Sequence, residues 1–415
     1  MKKYLTIILV IGSLNRATAQ TMDLPAILDR IASAHPSMKM YDASVQSLDA
    51  LAGGAHNWDP PSFSSGFWMT PYQVSLWRAS GSGNQGMGSY MISGEQLFPN
   101  KQYNDAEAAY LRSVSSVEKA KKAASLNDLV ADAKKNYFEW VVAQKKLVVL
   151  KENETLLGFM ITNAETRYQN GLEKISAYYK AKASLGKQEE LQIELQNQIT
   201  QNRIALNILM NRDGLDQLAI DTSDQVKDYA TEPADSTTLY NNRSDLKAID
   251  QSIQLAGLQQ QVEKADLRPR FGIQFANMFG FGGSPLQFSL MGMVKIPINW
   301  SSRSNKAAIE SLQWKKSSLA EEKHSLAITY SGMAFQTEQT IEARKKQLKI
   351  YEQTILPALK KNYQSTQLAY QQNTAELFEL YDAWETLNST ELVYLDLQQD
   401  LYDQEIRLEN ILEIK

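Results

Sequence analysis

Two stretches of this chain contain almost nothing that breaks a helix, and each is far longer than a globular helix. The segment from Asn100 to Met210 is rich in Ala, Leu, Lys, Glu and Gln. It has no proline, and its glycines are Gly158, Gly171 and Gly186. The segment from Ser302 onward holds one proline, Pro357, and one glycine, Gly332. Without breakers the backbone ladder is predicted to continue. Each stretch has one interruption near its middle, at Gln169-Asn170-Gly171 and at Gln371-Gln372-Asn373-Thr374. Gly and Asn tolerate the left-handed conformation that ends a helix. Both stretches are therefore predicted to be helical hairpins, ~100–210 and ~302–412. Each leading arm has roughly 70 residues, or roughly 100 Å at 1.5 Å per residue. Arms of that reach suit a structure that crosses an aqueous gap.

The two stretches are copies. A shift of 202 positions places Tyr168-Gln169 on Tyr370-Gln371, and Tyr179, Ala181 and Leu185 on Tyr381, Ala383 and Leu387. Leu195, Ile199, Leu206 and Leu209 have heptad-like spacing and fall on Leu397, Leu401, Leu408 and Ile411. Asn202 falls on Gln404, a polar residue at one seam position in both copies. Shared turn residues and a shared seam mark an internal duplication whose arms pack as coiled coils. Repeat 1 is assigned to 20–214, an inter-repeat linker to 215–236, and repeat 2 to 237–415.

Before each hairpin lie two candidate strands. In 271–279, Phe271, Ile273, Phe275 and Phe279 alternate with Gly272, Gln274, Ala276 and Met278. In 286–298, Leu286, Phe288, Leu290, Val294 and Ile296 alternate with Gln287, Ser289, Met291, Met293 and Lys295. Period two with one apolar face is the pattern of a half-buried strand. The lengths match the ~9–11 residues of a membrane-spanning strand. Weaker alternation marks 62–70 and 87–97, with Phe63, Phe67, Tyr90 and Ile92 on apolar faces. Trp58, Trp68, Trp77 and Trp300 stand in or near these segments. That placement fits either an interfacial aromatic girdle or the core of an ordinary sheet.

Composition removes several kinds of chemistry. With no cysteine, there is no disulfide, thiolate site or cysteine nucleophile. His35, His56 and His324 are widely spaced and share no metal-ligand spacing. No cofactor, metal site or catalytic residue is expected. A net charge of −4 gives no reason to expect a nucleic-acid partner. At the N-terminus, Lys2 and Lys3 precede a short apolar run from Tyr4 to Leu14. Ala17-Thr18-Ala19 then supplies a small-residue cleavage site, so 1–19 is expected to be a signal peptide. No other stretch approaches a transmembrane helix, so any membrane crossing must be made by strands.

Taken together, the order helix, strand pair, helical hairpin, repeated once, resembles the TolC family of outer-membrane factors over essentially the whole mature chain. Leu97-Phe98-Pro99 and Lys295-Ile296-Pro297-Ile298-Asn299-Trp300 are similar to the family's strand-to-helix junctions. Tyr168-Gln169-Asn170-Gly171 is similar to its first helical turn. Thr374-Ala375-Glu376-Leu377-Phe378-Glu379-Leu380-Tyr381-Asp382-Ala383 resembles the stretch that carries its acidic pore constriction. His35-Pro36 resembles its Asn-Pro opening helix, with His in place of Asn.

The resemblance implies a mostly α fold with a small β part. Long periplasmic hairpins would form an α-barrel, and four strands per chain would close a 12-stranded β-barrel in a homotrimer. It implies residence in the outer membrane, in contact with its lipid, with the helical part in the periplasm. Its partners would be a periplasmic adaptor and an inner-membrane transporter of the RND or ABC type. By position, Glu379 and Asp382 would form the constriction. Their repeat 1 equivalents are Ala177 and Lys180, so the ring would come from repeat 2 alone. Tyr370 matches a tip-closing tyrosine, but Ala375 stands where its arginine partner is expected. Asn170, Gly171, Gln372 and Asn373 would lie at the adaptor-docking tips.

A protein-secretion exit duct belongs to the same broad class, and a periplasmic coiled-coil scaffold without a pore belongs to another. An enzyme is disfavoured by the missing nucleophile–base spacing. Gly81-Ser82-Gly83-Asn84-Gln85-Gly86 spells a dinucleotide-type glycine pattern, but a strand follows it, so it reads as a surface loop. Met87, Met91, Met278, Met291 and Met293 fall on or beside the strands. Thioethers bind soft metals, as a heavy-metal branch of the family would require, but gap filling is the simpler role.

Overall fold

The computed structural model describes residues 21–78, 86–171, 174–222, 226 and 236–414. The expected signal peptide, most of the glycine-rich pattern at 81–86 and much of the linker lie outside the described residues. The elements run β1 (Thr21–Met22), α1 (Leu24–Ala34), α2 (Pro36–Ala52), β2 (Ser62–Trp68), β3 (Ser89–Leu97), α3 (Lys101–Gln169) and α4 (Ile175–Leu209). They continue with β4 (Ala219–Ile220), α5 (Ser236–Asn242), α6 (Ser244–Asp266), β5 (Arg270–Gly280), β6 (Gln287–Lys295), α7 (Arg303–Ile350), α8 (Leu356–Gln371) and α9 (Leu377–Leu412). A short 3₁₀ turn covers Val74–Trp77. Among the described residues no helix is long and apolar enough to cross a membrane.

The chain divides into two compact units. One comprises Met40–Ala124 and Arg243–Thr329, and the other holds the remaining residues. The first contains a four-stranded antiparallel sheet in the order β2-β3-β5-β6. Its register aligns the alternating residues of all four strands. Phe67 lies opposite Tyr90, Tyr90 opposite Phe279, Phe275 opposite Leu290, and Phe271 opposite Val294. One face is therefore apolar across its width, and it is open. Phe63 is 78% exposed, Phe288 74% and Leu290 67%. On the other face Ser64 bonds Ser93 at 2.7 Å, and Met91 lies opposite Met278. Met69, at φ +47°, ends β2, and Gly88, at φ +93°, precedes β3. A Cβ at Gly88 would stand 2.7 Å from the Thr70 backbone, so glycine is required there twice over.

The loops at that end of the sheet are bound to each other. Gly86 N–H donates to Gly282 at 3.1 Å, and Phe281 N–H to Gly88 at 3.0 Å. The Trp77 ring stacks on Phe281 at 5.3 Å. At the opposite end the exposed Trp58 meets Phe98 edge-on. Helices of the same unit are tied by Ser116 to Gln251 and by Lys323 to Asp250.

The second unit contains both hairpin ends. Its main core joins Ile27 and Ile31 of α1 with Tyr137, Phe138 and Val141 of α3, Leu206 of α4 and Ile406 of α9. The repeated seam is visible in burial, since Leu206 and its counterpart Leu408 are both fully sealed. The second leading arm carries a π turn at Tyr351–Ile355, where the Leu356 N–H reaches back to Tyr351. Pro357 lacks an N–H and its ring crowds the preceding turn. Widening that one turn lets the arm continue to Gln371 instead of stopping.

Ion pairs fasten α9 to its neighbours: Lys134 of α3 to Glu409, and Arg344 and Lys345 of α7 to Asp400 and Glu405. Asp403 is the exception. One of its carboxylate oxygens is sealed from solvent without a hydrogen-bond partner. Burial, then Glu139 and Asp400, push its pKa up to about 6 against the pull of Lys135. Because that value lies above the unfolded one, ionised Asp403 costs stability above pH 6. The cost fades as the pH falls through 6 toward ~4. Asp403→Asn should therefore stabilise the protein at pH 7.5 by about 1 kcal/mol after solvent screening. At pH 4 it should have little effect. Thermal unfolding at both pH values checks this, and equal stabilisation at both would show that the charge is not the cause.

Candidate functional site

Both hairpin turns close on a left-handed residue, and the two residues correspond under the 202-position shift. Gly171 has φ +70° and Asn373 φ +58°. At the second turn, Asn373 N–H bonds to the Tyr370 carbonyl at 3.0 Å and Thr374 N–H to Ala369 at 2.9 Å. These two bonds cap the last carbonyls of α8. Nothing lies within 4 Å of a Cβ built at Gly171, so its backbone angle, not lack of space, calls for glycine. Asn170, Gly171, Gln372 and Asn373 are all exposed.

Tyr370 does not face solvent. It is 5% exposed and packs in a cluster with Leu157, Met160, Ala164, Leu377, Leu380, Tyr381 and Trp384. This cluster joins the end of the first hairpin to that of the second. Three polar contacts fix it. Ser184 shares a hydrogen bond with the Tyr381 hydroxyl. Trp384 Nε1 donates to Asn153 at 2.7 Å, and Asn153 Nδ2 donates to Asn388 at 2.8 Å. Burial raises the Tyr381 pKa.

At the tip, two cations of the first hairpin hold aromatic rings of the second. The Arg167 guanidinium lies 5.3 Å from the centre of the Tyr370 ring, and its Nη1 donates to Asn373 Oδ1 at 2.8 Å. Lys180 Nζ stands 4.3 Å from the Phe378 ring centre and 4.2 Å from that of Tyr381. It is also 4.0 Å from Glu385. Ala375 leaves the expected arginine position empty, but an arginine still reaches this tyrosine, supplied by the opposite hairpin. The sequence carries little trace of either contact. Lys180 is recognisable only as the positional counterpart of Asp382, and Arg167 only as a charge near a turn.

Glu379 and Asp382 sit in the first turns of α9 and are exposed. Their spacing places them on one side of the helix. Their environment differs from that of the other acids of α9. Glu385 faces Lys180, Glu391 pairs with Lys360 at 3.2 Å, and Asp396 pairs with Lys146. Asp400, Glu405 and Glu409 have the partners described above. Among the described residues Glu379 and Asp382 have no ion-pair partner, whereas Asp403, also outside any direct ion pair, still feels the pull of Lys135. The tip thus presents uncompensated negative charge on one exposed helix face.

No family model and no curated protein sequence matches the chain. Solved structures do. CusC, whose structures are described in terms of folding and transmembrane channel formation, is 17% identical, with 95% of this chain and 93% of that one covered at TM-score 0.74. The outer membrane protein VceC of Vibrio cholerae is 16% identical, with 94% and 95% covered at TM-score 0.71. The outer membrane channel MtrE of Neisseria gonorrhoeae, in its open state, is 15% identical, with 94% and 88% covered at TM-score 0.70. The chain has the fold of these proteins.

Removing the Arg167 side chain should free the second turn. Arg167→Ala is expected to raise deuterium uptake across 368–378, with little change along the buried seam at Leu206 and Leu408. Arg167→Lys should restore only part of the protection, because lysine keeps the charge but loses the planar fork. Unchanged exchange in Arg167→Ala would remove the link from the account of the tip.

Proposed function

We propose that this chain is one subunit of an outer-membrane exit duct, the passive last segment of a tripartite efflux system. The observation that carries the reading is the sheet of β2, β3, β5 and β6. Its apolar face is fully open, and both edge strands, β2 and β6, lack partners within the described chain. An open apolar face of this kind marks a membrane or protein contact. In lipid an unpaired edge leaves backbone groups unsatisfied, so a spanning sheet has to close. Neighbouring strands all run antiparallel. A second copy can therefore set its β2 against the first copy's β6 without breaking the alternation. In this reading three copies close twelve strands, with Ser64, Ser93 and the methionines toward the lumen and the phenylalanines toward lipid.

The signal peptide, the family resemblance and the fold shared with outer-membrane channels support placement in the outer membrane, with the hairpins in the periplasm. There the tips, including Asn170, Gly171, Gln372 and Asn373, would meet a periplasmic adaptor coupled to an inner-membrane RND-type or ABC transporter. Glu379 and Asp382 from each copy would ring the entrance, favouring cations over anions. Tyr370 would help hold that entrance closed. The duct carries no catalytic residue and no cofactor. A type I protein-secretion duct would have the same architecture and differ in its partners.

The test is conductance. The purified protein should run as a trimer in detergent and open pores in a planar bilayer. A water-soluble monomer without pores would refute the duct and favour a coiled-coil scaffold. In the same bilayers, replacing Glu379 and Asp382 together by alanine should reduce the cation-to-anion permeability ratio, read as a reversal potential in a salt gradient. Conducting pores with unchanged selectivity would leave the duct standing and remove the constriction.

A further inference from the structure

Lys180 is held as a ligand would be held. Its ammonium lies against two aromatic rings, at 4.3 Å from Phe378 and 4.2 Å from Tyr381, with the Glu385 carboxylate at 4.0 Å. Aromatic faces beside a carboxylate are the chemistry that recognises alkylammonium groups. The holding groups come from α9, whereas the lysine comes from α4. The duplication sharpens the contrast, since the position that carries Lys180 in repeat 1 carries Asp382 in repeat 2. Glu379 and Asp382 make none of these contacts, although they adjoin the two rings in the chain and Asp382 acts on Tyr381 through its charge.

We propose that Phe378, Tyr381 and Glu385 form a recognition site for organic cations, and that Lys180 is its built-in, displaceable occupant. The site is open on one side only: Tyr381, 4% exposed, is its floor, whereas Phe378 is 54% exposed and the Lys180 and Glu385 side chains are 38% and 49% exposed. Each of the three contacts is weak at such exposure, about 0.5–1 kcal/mol for a cation over a ring and about 0–1 kcal/mol for the ion pair. The lysine holds its place mainly because it is tethered, which gives it a high effective concentration. A soluble alkylammonium ion with a larger apolar surface competes for the same rings. When it displaces Lys180, it removes one of the two cation contacts between the hairpin ends. The consequence for transport, that cationic amphiphiles loosen the entrance they pass, rests on the duct reading. The binding site does not.

Choline and its neutral isostere 3,3-dimethylbutan-1-ol test the site on the full chain, by ligand-observed NMR without any conductance measurement. Lys180→Gln, with helical content verified by circular dichroism, should bind choline about tenfold more tightly than the unaltered protein, because the tethered competitor is gone. Lys180→Arg should bind as weakly as the unaltered protein. Phe378→Leu should weaken choline binding both in the unaltered chain and on the Lys180→Gln background, so the claim is tested even if Lys180→Gln folds poorly. The isostere should not compete. Equal choline affinity with and without Lys180, indifference to Phe378→Leu, or competition by the neutral alcohol would each overturn the proposal. None of these outcomes bears on whether the protein conducts.

Discussion

A β-sheet whose apolar face is meant for lipid cannot have a free edge. In water an unpaired strand can hydrogen-bond to solvent, but in hydrocarbon each orphaned N–H and C=O costs several kcal/mol. Here β2 and β6 are such edges, and they flank a sheet that exposes Phe63, Phe288 and Leu290. Four strands are too few to close on themselves. In the proposed duct a single copy is therefore incomplete, and oligomerisation is the physical condition for its sheet to lie in lipid. An even number of alternating strands per copy makes this possible, because every added copy preserves the antiparallel ladder.

Duplication explains how one chain supplies so regular a part, and divergence shows where regularity was given up. The conserved geometry is mechanical. Gly171 and Asn373 both turn the chain through the left-handed region, and Leu206 and Leu408 both vanish into the seam. The differences concentrate at the tips. Ala177 and Lys180 in one copy occupy the positions of Glu379 and Asp382 in the other. A repeat pair that was neutral in one copy and acidic in both positions of the other would only add charge. With lysine in the first copy, the two hairpins gain something to hold each other by.

The backbone architecture was readable from residue types because it depends on local rules. Breaker-free runs specify helices, strict alternation specifies strands, and Gly or Asn marks the turns. The edges of the strands were less legible. The run expected through Thr70 stops at Trp68, and the one expected from Met87 starts at Ser89. Met69 and Gly88 take left-handed angles that no propensity rule foretells for methionine. Pro357 was visible as an anomaly inside a helix, but the π turn that accommodates it was not. At the tip, the acids and the tyrosine were recognisable by position. The cations that meet the aromatics were not, because Arg167–Tyr370 and Lys180–Phe378 depend on the packing register between two hairpins some two hundred residues apart.

The strength of the contacts along α9 is graded from one end to the other. Toward its C-terminus, Lys134 and Glu409 are 15% and 10% exposed, and Glu405, held by Lys345, is 4% exposed. Separating such a pair strands a charge out of water, which typically costs about 3–5 kcal/mol. At its N-terminus the corresponding fastener is Lys180 against Glu385 and two half-open rings, where solvent screens the charges and replaces each lost contact cheaply. The cost at Asp403, raised by burial and Glu139 and partly offset by Lys135, is too small to reverse that ordering. Any displacement of α9 against α3 is therefore cheapest at the tip and dearest at the seam.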